Sequence, residues 1–215
     1  MRDRETGTWW QQITGKAIYG PLQGASLELV LSDELTFGEW VSEVSDGKVL
    51  APVQKYTKEY DSDWEPKVAK LPVVISFPGT ELKSRDVVVG LEIDSASRAY
   101  PWDALVKQSP VVDHLHGMPL LVAVGPDGKS FRVFISRIDG KDAEFFLKGE
   151  GETKAAPASP KAWTLLDSAT ASEWNFQGCA ISGPSQGKCL DRVPALKDYW
   201  FDWRNYHPDT TIYKR

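Results

Sequence analysis

At 215 residues, with 41% hydrophobic and 26% charged side chains, the chain has ample length to bury one large core or two small ones and the balance of an ordinary globular protein. Its net charge of -5 and the lack of any clustered Lys/Arg run exclude a phosphate-backbone surface, so no nucleic-acid partner is expected. No apolar stretch approaches the roughly 20 residues of a membrane span, and the opening MRDRETGTWW lacks the apolar core of a signal peptide.

In chain order, GKAIYGPLQG at 15–24 reads as a short strand entering a tight reversal, with Gly20-Pro21 and Gly24 supplying the fixed and the permissive backbone angles. The stretch returns as GCAISGPSQG at 178–187, with seven identities in ten positions. A shift of 163 also aligns Leu27 with Leu190, Val30 with Val193, Phe37 with Trp200 and Trp40 with Trp203. One deleted residue upstream brings Trp10 onto Trp174 and Asp3 onto Asp167. The expectation is an internal repeat of hairpin, helix and strand at each end of the chain. Its core residues would be Trp10, Phe37, Trp40, Trp174, Trp200 and Trp203.

Thr36 with Glu39 three residues on is a capping box, opening a helix with Phe37, Trp40, Val41 and Val44 on one face. The second helix is expected to open at Asp198, place Trp200, Trp203 and Tyr206 likewise, and stop at His207-Pro208. Residues 61–85 form a polar, proline-spotted connection. From 87 onward VVVGLEID and RAYP read as strands, and PWDALVKQ as a helical turn or two with Pro101 at its start. LLVAV, FRVFISR and AEFFLKG read as a three-stranded meander with Pro-Asp-Gly and Asp-Gly turns. GETKAAPASPKA then reads as a loop rich in Ala and Pro. The fold class is mainly β with short helices, a β-rich α+β arrangement of antiparallel hairpins and a meander. Its organisation is the latter half of one copy at 1–60, the connection, and a complete second copy at 86–215.

GLEIDSASRAYPWDAL, VVDHLHGMPLLVAV, DRETGTWWQQITGKAIYGPLQG and KDYWFDWRNYHPDTTIY together resemble the bacterial family of domain of unknown function 3179. The resemblance implies secreted or periplasmic proteins, often repeated, with no assigned activity. It also implies a histidine in a His-Glu-Ile-Val-Asn-Asp stretch and a Cys-Pro-Leu-Cys-Gly pair of thiols. Here 109–113 reads Ser-Pro-Val-Val-Asp and 124–128 reads Val-Gly-Pro-Asp-Gly. Both thiols and the histidine are missing at these places, so 86–215 reads as a degenerate copy unable to use such groups for redox or metal chemistry.

Other patterns are weighed against plainer readings. Asp113, His114 and His116 carry the His-x-His spacing of some metal sites, yet Gly117 follows and no Cys is near, so a solvated turn is expected. Gly128-Lys129-Ser130 ends like a phosphate-binding loop but leads into an alternating strand. Asp198 and Asp202 read as the cap and the solvent side of the aromatic helix rather than an acid–base pair. Neither a catalytic residue nor a cofactor is nominated.

Cys179 and Cys189 lie equidistant from Pro184, which sets them across a hairpin within disulfide reach. In an oxidising compartment a disulfide adding roughly 2–3 kcal/mol is expected; in a cytosolic chain the two would be small buried thiols. The strands upstream of Asp167 have no counterpart before Asp3, so a missing beginning is expected, with self-association or an upstream domain covering the first half-copy. The function expected is a non-catalytic extracytoplasmic structural or binding module. The alternative is an enzyme or metal-binding protein whose active copy lies upstream.

Overall fold

A computed structural model describes residues 1–149 and 163–214 and divides the chain into two compact units, 1–32 and 33–215. The stretch expected to form an Ala- and Pro-rich loop lies outside the described residues. The fold is mainly β, as its sequence led us to expect, with fifteen strands and four short α-helices among the described residues.

In the first unit, β1 (Trp9–Trp10) pairs antiparallel with β2 (Ala17–Tyr19), with a register shift between Trp9 and Trp10. Asp3 organises the turn before β1. Its carboxylate accepts from the Thr6 and Gly7 amides, the Thr6 hydroxyl and, at 2.9 Å, the Trp10 indole. Those bonds, Trp10's foremost, hold the Asp3 carboxyl well below the usual carboxylate range. After β2 the chain reverses through Gly20 and Gly24, both at positive φ, and Leu27 N–H donates back to the Gly15 carbonyl.

The second unit begins with α1 (Phe37–Glu43), capped by Thr36, whose side chain accepts from the Glu39 amide as the capping box requires. A 3-10 helix at Gln54–Glu59 follows α1, and the expected connection at 61–85 is not wholly irregular, since it contains α2 (Trp64–Val68). Next come β3 (Val87–Ile93), β4 (Ala96–Pro101), α3 (Trp102–Gln108), β5 (Val111–Leu115), β6 (Met118–Val124) and β7 (Phe131–Ile135). β5, β6 and β7 form an antiparallel meander.

The expected third strand of that meander goes elsewhere. β7 runs into a small hairpin, β8 (Arg137–Ile138) and β9 (Lys141–Asp142), closed by Asp139 and Gly140, both at positive φ. That reversal diverts β10 (Phe145–Leu147) into a second sheet with β11 (Leu165–Asp167), β12 (Glu173–Trp174) and β13 (Ala180–Ser182). Finally β14 (Leu196–Tyr199), α4 (Trp200–Tyr206) and β15 (Thr211–Ile212) return to the first strands, giving the order β14-β3-β4-β15 with β15 parallel to β4.

Two larger cores and one smaller result. One lies between β3–β4, α3 and one face of the meander, around Val89, Tyr100, Leu105, Leu120, Val122 and Val133. The other packs the opposite meander face, Leu121, Ala123 and Phe134, against Trp174, Ala180 and Leu190. Alternation along β6 sends successive side chains to opposite faces, so LLVAV serves both. Trp200 and Trp203 bury against Val88 and Ala99, and Gly90 is what admits the Trp203 ring, since a Cβ there would lie 2.3 Å from it.

The segment 167–193 carries hydrogen bonds of the same kind as 3–27. Asp167 accepts from Thr170, Ser172 and, at 2.8 Å, the Trp174 indole; Leu190 N–H donates to Gly178. Burial works to raise the Asp167 carboxyl, but the Trp174 and Thr170 hydrogen bonds prevail and hold it below its ordinary range. The bridge between Lys16 and Ser26 has its counterpart in the bridge between Cys179 and Cys189, where the two thiols are joined as a disulfide.

The aromatic residues do not all share one fate. Trp174, Trp200 and Trp203 are buried, whereas Trp10 and Trp40 are only partly covered. Phe37, expected in a core, is exposed. Its counterpart Trp200 owes its burial to β3 and β4, and no such strands lie over Phe37.

Candidate functional site

The two stretches where the family resemblance places a histidine and paired thiols come together in the fold. The Val124 amide donates to Ser109 Oγ at 2.7 Å, and Val111 and Val112 pair with Val122 and Leu121. Between β6 and β7 the turn 125–130 is pinned by Asp127, which accepts from the Lys129 and Ser130 amides, the Ser130 hydroxyl and the Thr36 hydroxyl. Burial opposes ionisation of Asp127, but those donors outweigh it and lower its pKa. The amides that a phosphate loop would offer are therefore turned onto this carboxylate. Thr36 N–H in turn donates to Ser130 Oγ, which docks the start of α1 on the turn.

Beside that turn opens a cleft of about 310 Å³, lined by Glu39, Ser42 and Glu43 of α1 and by Pro126, Trp163 and Asn175–Gln177. Trp163 and Phe176 meet edge to face at 5.3 Å. Arg132, on β7, holds the α1 side in place. It is almost wholly buried, donates to both Glu43 oxygens at 2.6 and 2.7 Å and to Asp33 at 2.8 Å, and lies over the Phe176 ring. Arg192 also pairs with Asp33. Burial and the neighbouring Glu43 raise the pKa of Glu39. The cleft thus sets aromatic edges beside the Glu39 carboxyl.

Asp113, His114 and His116 are set apart by the fold. Asp113 is committed to Arg98 at 2.5 Å and to the Tyr100 hydroxyl at 2.9 Å, with burial and Asp113 together pushing the Tyr100 phenol well up. His114 Nε2 lies 3.5 Å from Asp142. His116, with Gly117, makes the two-residue turn between β5 and β6, both at positive φ. Among the described residues, no three His, Cys, Asp or Glu side chains are arranged to hold a metal ion. The third histidine, His207, stacks on Trp203 at 3.7 Å.

The acidic pair takes a different place from that expected. Tyr199 is the N-cap of α4, and Asp198 lies in β14 paired with Val88. Its burial, with Asp202 and Glu34 adding repulsion, pushes its carboxyl up to about 6. A raised folded pKa means the favourable contribution exists below the ordinary value of 3.8 and is lost as pH climbs through about 6. Asp198→Asn keeps an acceptor for the Tyr199 amide and removes the charge. We expect its melting temperature to match the parent near pH 4 and to exceed it increasingly up to pH 7. A constant offset across that range would rule out this origin.

Arg132 was invisible in the sequence. FRVFISR reads as an alternating strand, and its partners Asp33 and Glu43 lie 99 and 89 positions away. The one signal available was a charged residue inside a strand with apolar neighbours on both sides, which needs a counter-charge when buried.

Fold and cleft together define a mainly β, disulfide-bearing module whose polar groups are spent largely on its own architecture. Residues 1–210 match a family described as Protein of unknown function (DUF3179), and the chain belongs to that family. No curated protein and no solved structure matches it.

Proposed function

We propose that the chain is a non-catalytic extracytoplasmic binding module that recognises its partner by apolar burial. One observation carries this reading: Leu27, Leu29 and Val30 stand exposed on the first unit while the perturbed carboxylates Asp3, Asp127 and Asp167 are each held by several donors of the fold. These three aspartates are occupied in fixing turns, which supports a structural rather than a catalytic part for them. The Cys179–Cys189 disulfide supports an oxidising compartment, because such a bond on an exposed hairpin persists where thiols are not kept reduced.

The test is elemental analysis and thiol titration of the full chain isolated from an oxidising compartment. We expect no stoichiometric transition metal and no free thiol. One metal ion per chain, lost in His114→Ala, would overturn the reading in favour of metal chemistry. Two titratable thiols would overturn the compartment.

A further inference from the structure

We propose that the cleft between α1 and the turn 175–178 binds a small organic cation, an ammonium group carried on an apolar body. Every residue that lines the cleft belongs to the second unit, and the ligand goes beyond apolar recognition of a partner.

One wall is polar and offers acceptors. Glu39, Ser42 and Glu43 stand three and four positions apart and so share one face of α1. Two carboxylates at that spacing repel each other, and Arg132 relieves only one of them, donating to both Glu43 oxygens at 2.6 and 2.7 Å. Among the described residues, no cation and no side-chain donor pairs with the Glu39 carboxyl. The Ser42 hydroxyl gives its proton to the Glu39 backbone carbonyl at 2.7 Å, which leaves its oxygen to accept. The charged groups around Glu39 are the Glu43 and Asp127 carboxylates and the Arg132 guanidinium, a local excess of negative charge.

The opposite wall is apolar and built in advance. Trp163 and Phe176, 9% and 6% exposed, meet edge to face beside Pro126. Gly125 admits the Phe176 ring, since a Cβ there would lie 2.8 Å from it. Asn175 fixes the turn that carries Phe176: its amide donates to the Cys179 carbonyl and its side-chain oxygen accepts from the Cys179 amide, both at 2.9 Å. Gly178 N–H closes the turn on the Asn175 carbonyl at 3.0 Å. A wall already ordered costs little to order on binding.

The two walls select by charge. An anion would be repelled by Glu39 and Glu43, and Ser42 has no proton to give it. A neutral molecule would leave Glu39 without a counter-charge. An ammonium brings Glu39 a positive charge and hydrogen-bond donors, while its apolar body covers Trp163 and Phe176. At about 310 Å³ the cleft lies at the small end of ligand sites, which run roughly 300–1,000 Å³, so a cation with a single ring or a short chain fits.

The test is titration of the full chain with phenethylammonium, phenethyl alcohol and hydrocinnamate, which differ mainly in charge. Binding is read from the NMR shifts of the Trp163 indole N–H and the Asn175 and Gln177 side-chain amides. We expect saturable shifts with the ammonium and binding of the other two weaker by on the order of tenfold or more. Glu39→Gln, which preserves the capping box, should weaken the ammonium by on the order of tenfold while leaving the alcohol's affinity and the backbone amide spectrum unchanged. Lowering the pH through the raised range of Glu39 should weaken the ammonium in the parent, as the carboxyl takes up a proton, and not in Glu39→Gln. Equal affinity for the alcohol, undiminished binding to Glu39→Gln, or unmoved signals at Trp163, Asn175 and Gln177 would each overturn the proposal. A stoichiometric metal or a free thiol would overturn the reading of the chain as an extracytoplasmic, non-catalytic module without altering these affinities, so the two fail separately.

Discussion

Arg132→Met is expected to cost about 3–5 kcal/mol and to loosen residues 33–43 from the rest of the second unit. The guanidinium is 4% exposed, and its removal leaves Glu43, at 12% exposure, without its cation and Asp33 with Arg192 alone. Methionine fills the volume of the side-chain stem but supplies no counter-charge, so the loss comes from uncompensated buried charge rather than from a cavity. Urea denaturation measures the first effect, and amide exchange over 36–43 the second. The triple variant R132M/D33N/E43Q should regain much of the stability, because neutral amides are cheaper to leave without the cation. A loss below about 1 kcal/mol for Arg132→Met would show that the network is solvated and behaves as a surface ion pair.

Gly178→Ala and Gly15→Ala should differ sharply although both occupy equivalent turns at positive φ, +79 and +66. At Gly15 the cost is the left-handed backbone strain of an L-residue, about 1–2 kcal/mol, since the nearest atom is the Cβ of the exposed Leu27 at 3.3 Å. At Gly178 the same strain is joined by collision with the buried Phe134 ring, and overpacking adds about 1–3 kcal/mol. Thermal or chemical denaturation of the two single variants checks this. Equal losses would mean that Phe134 yields freely and that its packing on Gly178 is not close.

Much of the local architecture was legible in the residues. Thr36 and Glu39 announced a helix start because capping is decided by groups three positions apart. The two cysteines declared their pairing because a hairpin centred on Pro184 leaves little choice of partner across it. The Asp and Trp seven positions apart in each turn are likewise bonded locally, at 3–10 and at 167–174.

What the sequence could not determine were the contacts made across long separations. Val193 and Val30 are the same residue in similar surroundings along the chain, yet one is buried and the other bare, because burial depends on whether a β7 edge comes to lie beside it. Phe37 and Trp200 diverge for the same reason. The meander's expected third strand was lost to the Asp139-Gly140 hairpin, a local turn whose consequence, the pairing of Phe145–Leu147 with Leu165–Asp167, is wholly tertiary. The place of Asp198 before an aromatic helix suggests a cap, whereas the fold sets it in β14 opposite Val88, where burial forces its carboxyl upward. Propensity, capping and turn chemistry act over a few residues and are therefore written in the sequence, whereas desolvation is a property of what folds back onto each residue.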